Sequence, residues 1–177
     1  MSDFRRFATE MITRQNELGN SLLELLYKDV KLDVNKAVCN GCDKALTEED
    51  VNEGWKIGDA HDYCIACKHC RHKGVCRFSV ASSNADWKSS GIGGKHEGLL
   101  YCEFLSPWVL RKEIMNILSE RGGIETLLDP RFAESTVHRS TLFWNLIVRM
   151  KRECLPFTFL FQGSFGNSLI TPTPDGN

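Results

Sequence analysis

Six of the chain's eight cysteines fall between Cys39 and Cys76, and no other feature of the sequence constrains its fold as tightly. Thiols crowded in this way point to metal binding, disulfides or redox chemistry rather than to inert core packing. The start, Met1-Ser2-Asp3-Phe4-Arg5-Arg6, leads into polar sequence, not into the apolar core of a signal peptide. The expectation is therefore a cytoplasmic chain, where thiols stay reduced and disulfides do not persist. Cys39-Asn40-Gly41-Cys42 and Cys64-Ile65-Ala66-Cys67 form two C-x-x-C knuckles with 21 residues between them. Two such pairs supply four thiolates to one tetrahedral Zn²⁺, the ion that soft sulfur sites select in that compartment. The two-residue gap lets both sulfurs of a pair face one ion, and Gly41 eases the tight turn. A redox pair would need a C-x-x-C beside a βαβ pattern, which the sequence does not show.

The choice of ligands stays open at this level, because Cys70 makes an overlapping knuckle with Cys67 and His61 precedes Cys64 by three residues. The run Cys39-x₂-Cys42-x₁₈-His61-x₂-Cys64-x₂-Cys67-x₂-Cys70 resembles the first half of a LIM domain. That resemblance implies one zinc on Cys39, Cys42, His61 and Cys64, with Cys67 and Cys70 starting a second site. Residues 87–93, where a LIM domain would carry its remaining ligands, hold none, and Cys76, His96 and Cys102 stand at the wrong spacing. An all-cysteine set closes the coordination sphere, so a structural zinc is expected rather than a catalytic one. With no convincing nucleophile–base pair elsewhere, the chain is not expected to be an enzyme. Cys102 and Cys154 are isolated and read as ordinary buried thiols.

The expected fold class is α+β: a small zinc-knuckle, ribbon-like module with a few strands, an N-terminal helix and a C-terminal helical pair. Residues 1–35 form the N-terminal helical segment, with Met11, Leu18, Leu22 and Leu25 on a stripe expected to cover the chain's own core. Gly19-Asn20 should interrupt it. Residues 36–81 are the zinc-knuckle region, ending in a strand over 75–80, and 82–98 are a Ser- and Gly-rich flexible connector. Residues 99–156 give a strand over 99–104 and then two helices. Ser106-Pro107 reads as an N-cap followed by proline at the first helical position, Gly122-Gly123 as a stop, and Pro156 as the end of the second helix. In the tail, 157–177, Phe157, Phe159 and Phe161 alternate as in a strand before a disordered end.

Charge and hydropathy exclude several classes of function. The formal net charge of −1 gives no field to hold a polyanion, so no nucleic-acid partner is expected. The best apolar run, Leu142 to Val148, contains Asn145 and falls far short of the roughly 20 residues of a membrane helix, so no transmembrane segment is expected. Gly91-x-Gly93-Gly94-Lys95 lacks the first glycine and the final Ser or Thr of a phosphate loop. Acidic residues crowd the cysteine region, which favours a basic protein surface as partner, with Trp55 and Trp108 as candidate interface anchors.

Two segments resemble the C-terminal region of the DENN-domain proteins of the Crag/Myc-promoter-binding type, class four of that family. One is Cys39-x₂-Cys42, then Glu48-Glu49-Asp50-Val51-Asn52-Glu53-Gly54-Trp55, then Cys64-x₂-Cys67. The other is Phe104-Leu105-Ser106-Pro107-Trp108-Val109-Leu110-Arg111-Lys112-Glu113-Ile114, followed by Leu142-Phe143-Trp144-Asn145-Leu146-Ile147 and Leu155-Pro156. The resemblance implies Cys39, Cys42, Cys64 and Cys67 as the metal set, with Cys70 and His61 as departures. It also implies a trafficking context, since such proteins are guanine-nucleotide exchange factors for Rab GTPases. Their exchange activity belongs to a DENN module too long for these 177 residues. The implied role is a non-catalytic regulatory or scaffolding part, peripheral to trafficking membranes. Its implied partners are a Rab GTPase or the rest of a DENN-domain protein.

Overall fold

A computed structural model describes residues 2–34, 37–81 and 99–162. Helix α1 (Ser2–Leu26) leads into strand β1 (Lys31–Asp33). Two short hairpins follow, β2 (Ala37–Val38) with β3 (Ala45–Leu46), and β4 (Ile65–Ala66) with β5 (Lys73–Gly74). Helix α2 (Glu48–Gly54) lies between them in the chain. Strands β6 (Arg77–Ala81) and β7 (Leu99–Glu103) complete a three-stranded antiparallel sheet of order β1-β6-β7. Four more helices close the order: α3 (Pro107–Ser119), α4 (Gly123–Leu127), α5 (Phe132–Ser135) and α6 (Val137–Arg152). A 3₁₀ turn over Thr158–Phe161 ends the described chain. The class is α+β, as the sequence indicates.

The sheet and helices share one apolar core. Central strand β6 buries Phe78 and Val80, edge strand β7 buries Leu100 and Cys102, and Leu142, Trp144 and Ile147 of α6 are buried in the same cluster. Asn145, the polar break in that apolar run, is buried and fully used. Its Oδ1 accepts from the Leu105 N–H, and its Nδ2 donates to the Glu103 and Thr141 carbonyls, each at 2.8 Å. One side chain thus satisfies the backbone where β7 leaves the sheet, which would otherwise be stranded without water. Ser106 caps α3 as expected, its Oγ accepting from the Val109 N–H with Pro107 at the first helical position.

Three expectations are corrected here. Gly19-Asn20 does not interrupt α1: Gly19 is buried, and a Cβ there would meet the Phe157 ring at 3.0 Å, so the missing side chain makes room for the tail. The stripe Met11, Leu18, Leu22 and Leu25 does not cover the core as a unit, because only Leu22 (with Leu23) is buried and the other three face outward. The tail is not a strand where described: Phe157, Leu160 and Phe161 are buried at helical spacing, and Phe159 faces out. The connector expected over 82–98 and the tail beyond 162 lie outside the described residues.

Candidate metal centre

Each hairpin carries a knuckle at its turn, and the two knuckles are built alike at an offset of 28 residues. In the first, the Cys39 N–H donates to the Lys44 carbonyl (3.0 Å) and the Asp43 N–H to the Cys39 carbonyl (2.8 Å). In the second, the Cys67 N–H donates to the His72 carbonyl (2.9 Å) and the Arg71 N–H to the Cys67 carbonyl (2.8 Å). Asp43 and Arg71, one residue past the second thiol of each knuckle, both take the left-handed conformation, with φ of 56° and 61°. The strand pairings follow the same offset: Ala37↔Leu46 matches Ile65↔Gly74, and Val38↔Ala45 matches Ala66↔Lys73. The first thiol of each knuckle accepts a backbone N–H two residues on, Gly41 to Cys39 Sγ at 3.3 Å and His69 to Cys67 Sγ at 3.4 Å. Such donors stabilise a thiolate held in place.

Face to face, the knuckles bring four thiols together: Cys39, Cys42, Cys67 and Cys70 have all their Sγ atoms within 4.8 Å of one another. Cys39 Sγ lies 3.6 Å from Cys70 Sγ, and Cys42 Sγ 3.9 Å from Cys67 Sγ. A tetrahedral ion bound at about 2.3 Å would hold sulfurs about 3.8 Å apart, so the spacing fits a four-thiolate metal site. It is far beyond the roughly 2.05 Å of a disulfide. Cys39 and Cys67 are buried, Cys42 is half-buried and Cys70 is exposed. Burial opposes ionisation of Cys67, but the N–H groups of Cys70 and His69 and the neighbouring thiols outweigh it and bring its pKa down to about 7. For Cys70 the His72 N–H favours the thiolate, yet desolvation and three neighbouring thiols push it up to about 12.

The converging set differs by one residue from the set implied by the DENN resemblance: Cys70 takes the place of Cys64. The intervening residues explain the exchange. Ile65 and Ala66 are the strand β4, so Cys64 and Cys67 sit three extended residues apart, roughly 10 Å, and point to opposite faces. Lys68 and His69 lie in a tight turn that folds Cys70 back toward Cys67. Burial and the Asp62 carboxylate raise the Cys64 thiol instead. His61, the LIM-like alternative, is exposed, its N–H donating to Asp59 Oδ1. Cys76 and Cys102 are buried among apolar residues, with pKa values pushed up by desolvation to about 11 and about 12. Cys154, expected to be buried, is exposed at the end of α6.

Helix α2 ties the centre to the rest of the fold. Asp50 closes a capping box with Thr47 and also pairs with Lys68 of the second knuckle, and these bonds hold its carboxyl below the usual carboxylate range. Glu48 meets Arg152 of α6 at 3.2 Å, and Lys73 pairs with Asp62. Three of the acidic side chains around the cysteines, Asp50, Glu48 and Asp62, are thus matched internally. Trp55 is not an exposed anchor: it is 5% exposed, edge-on to Phe104 at 5.2 Å, with the Arg149 guanidinium over its ring at 5.4 Å. Trp108 is half-buried against the core. The burial of Phe104 beside it made the Gly-Trp stretch a packing element rather than a surface.

Among the described residues no helix is long and apolar enough to cross a membrane. No family model matches the chain, and no solved structure matches it.

Proposed function

We propose that the chain is a non-catalytic module stabilised by one structural zinc ion on Cys39, Cys42, Cys67 and Cys70. The observation that supports this reading is the convergence of four thiols from two like-built knuckles. Four protein ligands leave no open position for a substrate or an activated water. The ion would supply folding energy by locking two hairpins too short to persist alone. The resemblance of the Gly-Trp and Leu-Ser-Pro segments places this module, in our reading, in the C-terminal part of a DENN-type Rab exchange factor, where it scaffolds or regulates. The LIM-like adaptor is the second reading, and the grouping of Cys67 and Cys70 with the first knuckle weighs against its ligand order.

Metal content per chain, measured on protein purified reduced, tests the centre. One zinc is expected, lost in Cys39→Ser and Cys70→Ser and kept in Cys64→Ser. Two zincs per chain, or loss on Cys64→Ser, would favour the LIM-like order. Nucleotide exchange on a panel of Rab GTPases is expected to be absent, and exchange by this chain would overturn the non-catalytic reading.

A further inference from the structure

The four converging thiols are unequal in access, and two close pairs among them run between the knuckles. Cys70 is exposed, and Cys39, 3.6 Å from it, is buried. Cys42 is half-buried, and Cys67, 3.9 Å from it, is buried. Each pair sets a thiol that solvent reaches against a buried one, and each joins the first hairpin to the second. Contacts of the fold itself hold the hairpins together. Helix α2 packs on β3 of the first hairpin and on β4 of the second. Its Asp50 pairs with Lys68 of the second knuckle, and Trp55, just past its end, bridges to Ile65 of β4. Cys64, Cys76, Cys102 and Cys154 lie outside the converging group.

On the zinc reading above, on which this rests, we propose that the centre is a peroxide-responsive switch. Oxidation links the knuckles through Cys39–Cys70 and Cys42–Cys67 disulfides, which take over from zinc while the fold persists. The Cys70 thiolate, the most exposed of the four, attacks one oxygen of hydrogen peroxide; an S–O bond forms, the O–O bond breaks and hydroxide leaves. The Cys39 thiolate then attacks the Cys70 sulfur; the S–S bond forms, the S–O bond breaks and a second hydroxide leaves. Each sulfur has given up one electron, and the peroxide has taken both. The two sulfurs need to close by only about 1.5 Å to reach disulfide length. Two of the four ligands are then gone, and the ion is released. A second peroxide joins Cys42 to Cys67 in the same way, so four thiolates and two peroxides give two disulfides and four hydroxides. Pairing between the knuckles keeps the hairpins joined, whereas pairing within each would leave them unlinked. A dithiol reductant returns the four thiols by exchange.

Titration of the reduced, zinc-loaded full chain with hydrogen peroxide tests the switch, in a Cys154→Ser background so that the exposed thiol outside the centre takes no part. Zinc content is measured first, released zinc is read with a chromophoric indicator, and disulfides are mapped by tandem mass spectrometry of unreduced peptides. Full conversion is expected to consume about two peroxides per zinc released. The new links should be Cys39–Cys70 and Cys42–Cys67, with circular dichroism retained and zinc binding restored by dithiothreitol. Any other pairing, Cys39–Cys42 with Cys67–Cys70 above all, overturns the proposal. So does zinc retained in a large excess of peroxide, or an oxidised chain that has unfolded. A chain that holds no zinc before peroxide is added overturns the zinc reading itself, and this one with it.

Discussion

Gly41 and His72 touch across the two knuckles: a Cβ on Gly41 would lie 2.6 Å from the His72 Cβ and 2.7 Å from its Cγ. Because that neighbour is the root of a side chain and not its flexible end, neither knuckle can yield without moving its thiols.

Gly41→Ala should therefore weaken the metal centre by about 1–3 kcal/mol, the usual cost of overpacking a filled site. Competition with a chromophoric chelator measures it. Gly41→Ala/His72→Gly should recover a substantial part of the loss, because it removes the blocking Cβ. Equal losses in the single and double variants would show that Gly41 serves backbone freedom rather than close approach.

Tyr63 links the cysteine loop to α3 through its hydroxyl, which donates to Glu113 Oε1 at 2.8 Å. Desolvation first, and then the Glu113 carboxylate, push its pKa up to about 12 from an ordinary 10.0. A raised phenol favours folding fully below its unfolded value, and the benefit is lost as pH climbs through the folded one. The chain should thus lose stability between about pH 10 and 12, and Tyr63→Phe should flatten that alkaline limb. At neutral pH the same variant should cost about 1 kcal/mol for the lost hydrogen bond. Urea unfolding at a series of pH values gives both numbers.

Cys154 occupies the left-handed position that ends α6, with φ of 52°. The Leu155 N–H reaches back to the Met150 carbonyl at 2.8 Å, and the Cys154 N–H to the Lys151 carbonyl at 3.3 Å. This is the paired closure at which glycine is favoured. Cys154→Gly should raise stability by about 1 kcal/mol, since a side chain in this conformation costs about 1–2 kcal/mol. A higher melting temperature at unchanged zinc content is the expected result.

The candidate metal centre was legible in the sequence as a cysteine cluster but not as a set of four. Cys64–Cys67 and Cys67–Cys70 have the same spacing, and only the residues between them differ. Ile65 is apolar and β-branched, which suits a buried strand, whereas Lys68 and His69 suit an exposed turn. That contrast, with the recurrence of a knuckle 28 residues on, was the available signal for Cys70. The Ser106 cap and strands β6 and β7 could be read because capping and short apolar runs are local. Strand β1 could not, since Lys31–Asp33 becomes a strand only by pairing with β6. The tail misled because Phe157, Leu160 and Phe161 also satisfy a helical spacing, and a run so short fits either period. Its choice depends on the space that Gly19 leaves.

The order β1-β6-β7 has a consequence for how the chain can be divided. Strand β6 follows the cysteine hairpins and β7 precedes the last helices, and their five paired residues, Arg77↔Glu103 to Ala81↔Leu99, join what the sequence suggests as separate segments. Phe78, Phe104 and Trp55 continue that seam as ring contacts at 5.7 and 5.2 Å. A protease cut between residues 82 and 98 would leave two fragments that co-purify until denatured. Expressed singly, each fragment would present a bare sheet edge and half a core.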